Sequence, residues 1–221
     1  MKIKSAIISV SDKSEISTIL KVLNKFKIKL ISSGGTYKKI KSLGYKCVEV
    51  SNYTNFKEIL DGRVKTLHPK IYAGILHKRN NTGHKKILKK LNFESIDLVI
   101  TNFYPFKNTI KNTNNHKKII ENIDIGGPAL VRSAAKNYND VVVITNISQY
   151  KELIQELNLY KGQTSLEFRL KMSREAFGET AGYDAAIYNY FNSISKKNIP
   201  DKLIIDAKLV KKLRYGENPH Q

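Results

Sequence analysis

Cysteine is almost missing from this chain of 221 residues. The one present, Cys47, excludes an internal disulfide framework and fits a reducing, cytoplasmic setting. It lies between Lys46 and Val48 in what reads as a strand. Arginine is scarce as well, since 33 of the 39 basic residues are lysine. Readers of nucleic-acid sequence lean on arginine forks for guanine edges and for stacking, and six scattered arginines do not supply them. The histidines His68, His77, His84, His116 and His220 form no HxH, HExxH or paired-cysteine spacing, so no metal site is expected. No apolar run exceeds four residues, and the basic, apolar start MKIKSAIISV turns polar at Ser11. Neither a signal peptide nor a membrane span is therefore expected.

What the chain has in quantity is lysine, asparagine and isoleucine. The 39 Lys and Arg against 19 Asp and Glu give a net charge of +20, but the lysines are spread over nearly every segment beside 20 asparagines and 27 isoleucines. A compositional bias explains this more simply than a dedicated nucleic-acid stripe. What survives is a positive field that draws anions, phosphorylated metabolites among them, with loose, salt-sensitive RNA binding as a side effect. Hydrophobic residues make up 41% of the chain, enough for one ample core or for one domain with an appended piece.

The hydrophobic pattern alternates between strand and helix. Residues 5–10 read as a strand, and Ile16, Ile19, Leu20 and Leu23 recur at helical spacing after the polar SDK. A second strand over 29–32 leads through SSGGT to a helix over 36–43 that stops at Gly44, and a third strand follows over 46–50. Further strands are predicted over 98–101 and 141–145, with helices over 85–91, 128–136 and 148–157. Such alternation implies crossovers and a parallel sheet, an α/β unit over residues 1–146. From 165 to 191 apolar residues recur at helical steps with no strand between, a helical extension within 147–200 that Gly178 and Gly182 make as ready to be two helices as one. Residues 193–200 read as a linker, and 108–116 as a polar surface excursion.

Ligands of an open parallel sheet sit at the carboxyl ends of its strands, where loop amides and helix starts meet anions. SVSDK leaves the first strand, and its Ser11 and Lys13 suit a phosphate, although Ser11 or Asp12 capping the next helix accounts for them equally. SSGGT leaves the second strand. There Gly34 and Gly35 allow close backbone approach while Ser33 and Thr36 offer hydroxyls, or the pair is only a tight turn. It lacks GxxxxGK[ST] and GxGxxG, which disfavours ATP and NAD. DGRVKTLHPK gathers Arg63, Lys65, Thr66, His68 and Lys70; if extended, it aims Arg63 and Lys65 to one side, as a dianionic phosphate needs. NFYPF (102–106) ends the fourth strand. In NIDIGGPALVRSAAKN (122–137), Asp124 precedes a Gly126-Gly127-Pro128 helix start and Lys136 closes the helix, where a lysine commonly just snorkels. Spacing alone does not decide its role.

In this order and spacing, SVSDK, SSGGT, DGRVKTLHPK, NFYPF, IDIGGPALVRSAAKN and the terminal LRYGENPHQ resemble the bifunctional purine biosynthesis family, PurH, over essentially the whole chain. The resemblance implies the N-terminal half of that family: a methylglyoxal-synthase-like fold, a parallel sheet flanked by helices, with inosine monophosphate (IMP) cyclohydrolase activity. That reaction closes 5-formamidoimidazole-4-carboxamide ribotide (FAICAR) to IMP with loss of water. It further implies that Ser11, Lys13, Ser33, Gly34, Gly35, Thr36, Arg63, Lys65, Thr66 and Gly126 bind the ribotide and that Asn102 contacts the base. Lys136 would be proton donor and acceptor, its pKa lowered by burial or neighbouring cations, with Lys65 and Tyr104 stabilising the formyl oxygen and Asp124 orienting the carboxamide.

The family's second half transfers formyl from 10-formyltetrahydrofolate to aminoimidazole carboxamide ribotide (AICAR). LRYGENPHQ resembles only its start, residues 201–221, in which Arg214 and Tyr215 match the AICAR-binding opening. The chain is thus expected not to formylate AICAR, to need no cofactor for ring closure, and to expose apolar surface over 203–213 where the missing half would lie. The family is homodimeric, mainly through that half. Gly178-Glu179 departs from the family pattern, which more often has a histidine before the threonine. A regulatory nucleotide-binding domain of the same fold is the alternative, and Lys136, Asp124 and Tyr104 are what it would not require. Methylglyoxal synthase lacks support because no paired aspartates flank the first phosphate loop. Specific nucleic-acid or membrane partners are not expected.

Overall fold

The run of apolar residues after Lys4 forms β1 (Ser5–Val10), which is buried on both faces because helices cover both sides of the sheet. The computed structural model describes residues 1–195 and 201–211. After β1 come α1 (Ile16–Lys25), β2 (Lys29–Ser32), α2 (Gly34–Ser42), β3 (Val48–Glu49), α3 (Val50–Thr54), α4 (Pro69–Leu76) and α5 (Thr82–Lys90). Then follow β4 (Leu98–Asn102), α6 (Phe106–Asn112), α7 (His116–Glu121), α8 (Gly126–Lys136), β5 (Val142–Ile144), a single 3-10 turn (Ile147–Gln149), α9 (Tyr150–Leu159) and α10 (Leu166–Ser193). The five strands are all parallel in the order β3-β2-β1-β4-β5, with Ile7 of β1 opposite Ile31 on one side and Val99 on the other.

The strongly periodic elements stand where the sequence predicts them; the edges differ for local reasons. The helix predicted over 36–43 starts at Gly34, whose φ of +53° lets the chain turn straight out of β2. The third strand shrinks to Val48–Glu49 because Val50 already belongs to α3. Cys47 therefore lies outside it, half-buried, and burial pushes its thiol up to about 11, away from thiolate chemistry. The polar stretch at 108–116 lies at the surface, as expected, but is largely helical: Phe106, 1% exposed, anchors α6, and His116 Nδ1 lies 2.8 Å from the hydroxyl of Tyr190 on α10.

Residues 166–193 form one helix of 28 residues, not two. Phe168, Met172 and Ala176 enter the main core, so packing on β5 and α8 outweighs the cost of about 1 kcal/mol for each helical glycine. At Gly182 a Cβ would come 2.9 Å from the exposed Asp206 carboxylate, which would have to swing aside. The segment 201–211 runs along this helix, where Tyr188 donates to the Lys202 carbonyl (2.8 Å), Asn189 to the Ile204 carbonyl (3.2 Å), and Lys107 pairs with Asp206 (2.6 Å). Leu203, Ile205, Leu209 and Val210 are all strongly exposed, as expected for this segment. Part of the predicted linker, 196–200, lies outside the described residues, as do Arg214 and Tyr215. Among the described residues no helix is long and apolar enough to cross a membrane.

At Gly178 a Cβ would meet open space. Gly178→Ala is therefore expected to stabilise the protein by about 0.5–1 kcal/mol. Gly182→Ala should give no such gain. Thermal denaturation of the two variants against wild type checks the contrast.

Candidate functional site

A parallel sheet in this order reverses its direction of growth between β1 and β4, and the crevice at their carboxyl ends is where loops can converge on a ligand. Asn102, the last residue of β4, spends its side chain on holding that crevice together. Its Oδ1 accepts from the Asp12 amide and its Nδ2 donates to the Asp12 carbonyl, both at 2.9 Å. Asp12 in turn accepts from the amide and hydroxyl of Ser14, an Asx turn that answers the capping question raised by SVSDK. Lys13 is left to reach inward. Its Nζ donates to the Ser11 carbonyl (3.0 Å), and its Cε lies 3.5 Å from where a Cβ on Gly35 would stand.

Lys65 approaches the same turn from the other side, with Nζ 3.8 Å from a Cβ placed on Gly34. Two ammonium groups therefore border the Gly34-Gly35 start of α2, whose first-turn amides point the positive end of the helix dipole between them. Ser33 caps that helix without a side-chain hydrogen bond. Thr36 is otherwise engaged: its hydroxyl accepts from the Val10 amide (3.1 Å) and donates to the Val10 carbonyl (3.0 Å), tying α2 to β1.

The DGRVKTLHPK segment is not extended. An antiparallel bridge between Ile59 and Val64 closes a turn in which Leu60, Asp61 and Gly62 all have positive φ. Its cations accordingly separate. Arg63 pairs with Glu121 at the exposed surface, and Lys70 lies over the rings of Tyr53 (4.9 Å) and Phe93 (5.8 Å). His68 caps α4 by accepting from the Lys70 amide. Only Lys65 reaches the cradle, while Thr66 is buried against Gly126, where a Cβ would come 2.8 Å from its hydroxyl.

Asp124 stands beside this cradle. Its Oδ1 accepts from the Gly127 amide (2.8 Å), and a Cβ on Gly127 would fall 2.3 Å from Oδ2, so both glycines of the GGP start are required by what packs on them. Burial raises the carboxyl above its ordinary range, opposed by the Gly127 amide, the Lys65 ammonium and the Tyr104 backbone. Tyr104 itself is 39% exposed at the rim. Among the described residues no three His, Cys, Asp or Glu side chains gather as a metal would need. Two ammonium groups at a helix start beside a partly buried carboxyl can meet an anion at one end and a hydrogen-bonding group at the other.

Comparison with known proteins gives the architecture a family. Residues 15–129 match the MGS-like domain model, and residues 134–221 match the AICARFT/IMPCHase bienzyme model. The PurH of Acetivibrio thermocellus is 47% identical over 221 residues and that of Bradyrhizobium diazoefficiens 44% over 220. The chain belongs to the MGS-like family, and over its whole length it is similar to the N-terminal part of PurH. It is covered almost entirely in both alignments, yet spans only 43% and 42% of those two relatives. The crystal structure of ForH superposes with a TM-score of 0.76 at 27% identity, covering 86% of this chain and 99% of ForH.

Within this chain, Lys136 is not brought to the cluster. It ends α8, an eleven-residue helix about 16 Å long, whose Gly126 end borders the site while its far end reaches the amino edge of the sheet. There the exposed Lys136 lines a cavity of about 690 Å³ with Lys78, Arg79 and Asp140, near the Arg79–Asp97 pair. Of the two settings expected for it, burial is absent, whereas neighbouring cations are present in Lys78 and Arg79. Two residues absent from the sequence reading do approach Asp124. Tyr183 of α10 accepts from the Asp124 amide (2.8 Å) and donates to the Asn122 carbonyl (3.3 Å). Tyr72 of α4 has a buried hydroxyl without a hydrogen-bond partner, and burial together with Asp124 pushes it up to about 12. The available signal for Tyr183 was its helical phase with the buried Ala176 and Thr180, which places a polar tip inside.

The raised carboxyl of Asp124 makes a signed prediction. The folded state binds its proton more tightly than the unfolded chain, so the protonated form contributes stability below the unfolded pKa, and this is lost as pH rises through the folded one. Asp124→Asn keeps the acceptor for Gly127 and removes the buried charge. It is expected to raise the thermal midpoint at pH 7 by more than at pH 4, read by calorimetry at both.

Proposed function

We propose that this chain is an IMP cyclohydrolase acting in purine biosynthesis, closing FAICAR to IMP and water. The observation that carries this reading is the lysine-bordered start of α2 beside a partly buried carboxylate that shares Lys65 with it. Membership of the PurH family supports the pathway, and the chemistry of the cluster supports the step. The ribotide phosphate would take the amides of α2 with Lys13 and Lys65, leaving the imidazole substituents toward Asp124, Thr66 and Tyr104.

The carboxamide nitrogen is a poor nucleophile, so holding it against the formyl carbon is the first contribution. Attack forms the N–C bond while one carboxamide proton moves to the formyl oxygen. Asp124, made more basic by burial, orients the carboxamide, takes that proton and passes it to the formyl oxygen, where Lys65 and Tyr104 stabilise the charge that develops before it arrives. Dehydration then breaks the C–O bond, takes the proton of the former formamide nitrogen, and releases water as the ring becomes aromatic. These roles fall to groups that one chain gathers, and Lys136 is not among them.

Absorbance of FAICAR mixed with the purified chain, following IMP, tests the reading. Wild type should form IMP without 10-formyltetrahydrofolate, and Asp124→Asn should lower kcat by about 10²-fold or more. Lys13→Gln should chiefly raise KM, by roughly tenfold or more, as a charge-assisted phosphate contact is lost. Lys136→Ala should still form IMP. Loss of activity in that variant would mean that its amine reaches the reacting atoms by a route that one chain does not show. Binding of IMP without turnover by the wild type would favour the non-catalytic regulatory reading instead.

A further inference from the structure

The loop that carries Asp124 has few supports of its own. Its backbone between Asn122 and Gly127 leaves α7 and enters α8, and the Asp124 carboxylate already lies against Gly127, where even a Cβ finds no room. The Tyr183 side chain grips this loop from behind. The Tyr183 hydroxyl accepts the Asp124 amide at 2.8 Å and donates to the Asn122 carbonyl at 3.3 Å, so it satisfies two backbone groups on either side of Ile123. Its ring is 8% exposed and packs on Phe103 (centroids 5.0 Å apart) and Phe106 (6.1 Å). Phe103 lies between Asn102 and Tyr104. One residue of α10 thus touches both loops that line the crevice, and it comes from outside the MGS-like match.

We infer that Tyr183 is a positioning residue for Asp124, its hydroxyl fixing the 122–127 backbone so that the carboxylate is held in its buried setting. A purely structural role would need only the ring, since the small cluster it shares with Phe106 and Ile119 is apolar. The hydroxyl is what aims the loop. Burial pushes that phenol up to about 12, so it remains a donor to Asn122 throughout the working range of pH. The kinetic consequence rests on the ring-closure reading above, because a misplacement of about 1 Å at a reacting group costs roughly 10²-fold; the effect on Asp124 itself does not.

The test compares Tyr183→Phe, which keeps the ring, with Phe106→Leu, which loosens the same cluster without touching the hydroxyl. The carboxyl of Asp124 is titrated by carbon-13 NMR in both and in wild type, and kcat and KM for FAICAR are measured alongside. Lys65, Tyr104 and Tyr72, the ionisable groups around the carboxylate, are unchanged in all three. In Tyr183→Phe the loosened loop admits water, and the Asp124 midpoint should fall by about half a pH unit or more toward the ordinary carboxylate range. Its kcat should fall roughly tenfold or more with KM within about twofold, because the phosphate is held elsewhere. Phe106→Leu should lower the thermal midpoint and leave the Asp124 titration in place. An unchanged Asp124 midpoint in Tyr183→Phe, or the same displacement in both variants, overturns the inference. If wild type forms no IMP, the ring-closure reading falls, and the titration alone decides the role of Tyr183.

Discussion

A carboxyl group taken out of water must be met by donors and cations, and most of the site follows from meeting that demand at Asp124. Its oxygen receives the Gly127 amide, which is possible only because α8 begins with two glycines and the carboxylate occupies the space a side chain would fill. Thr66 occupies the corresponding space at Gly126, so the turn closed by Ile59 and Val64 is pinned against the same helix start. That pinning delivers Lys65, whose ammonium both offsets the buried charge and borders the start of α2. Anion cradle and carboxylate are therefore not independent features: displacing the Gly126-Gly127 start moves both.

The net charge of +20 says less about the site than the fate of individual lysines. Lys25 lies over Phe26, Lys29 pairs with Glu94, Lys70 lies over Tyr53, and Lys171 is held by both oxygens of Glu152. Exposed pairs of this kind contribute at most about 1 kcal/mol each, and they aim at nothing in common. Lys13 and Lys65 differ only in where the backbone puts them, at the carboxyl edge and over glycines. The long-range field raises the local concentration of anions, whereas two short contacts decide where one is held.

The sheet was legible because its strands are short, buried runs between helices with clear periodicity; β1, β2 and β4 need no tertiary information. The site was legible in part. SSGGT and DGRVKT could be read as anion-seeking, but not that Thr36 would be consumed by Val10 or Arg63 by Glu121, since those partners are far apart in sequence. Asn102 likewise serves the Asp12 backbone rather than standing free. Lys136 shows the converse: a resemblance gives a residue a role, while within one chain the length of α8 puts its amine at the other edge of the sheet. For Tyr183 the helical phase could give burial but not its partner, because its importance lies in one hydroxyl facing a loop some 60 residues earlier.

The helix that supplies Tyr183 looks in the sequence like an extension beyond the sheet unit, yet energetically it belongs to the core. Phe168 and Met172 are buried with the sheet residues, and truncating either to alanine would cost about 2–5 kcal/mol on general grounds, against a total stability of about 5–15 kcal/mol for a typical domain. Arg169 reinforces this by donating to the carbonyls of Tyr138 and Asn139, which fixes the approach to β5. A chain ending before α10 would leave the back of α8 and β5 exposed, and α8 is the helix whose first turn holds Asp124. The dependence runs from core to chemistry: packing of α10 sets α8, α8 sets its glycine start, and that start sets the carboxylate. The unit capable of function is therefore larger than the segment that matches the MGS-like domain, because the back wall of its site is built by residues that follow it.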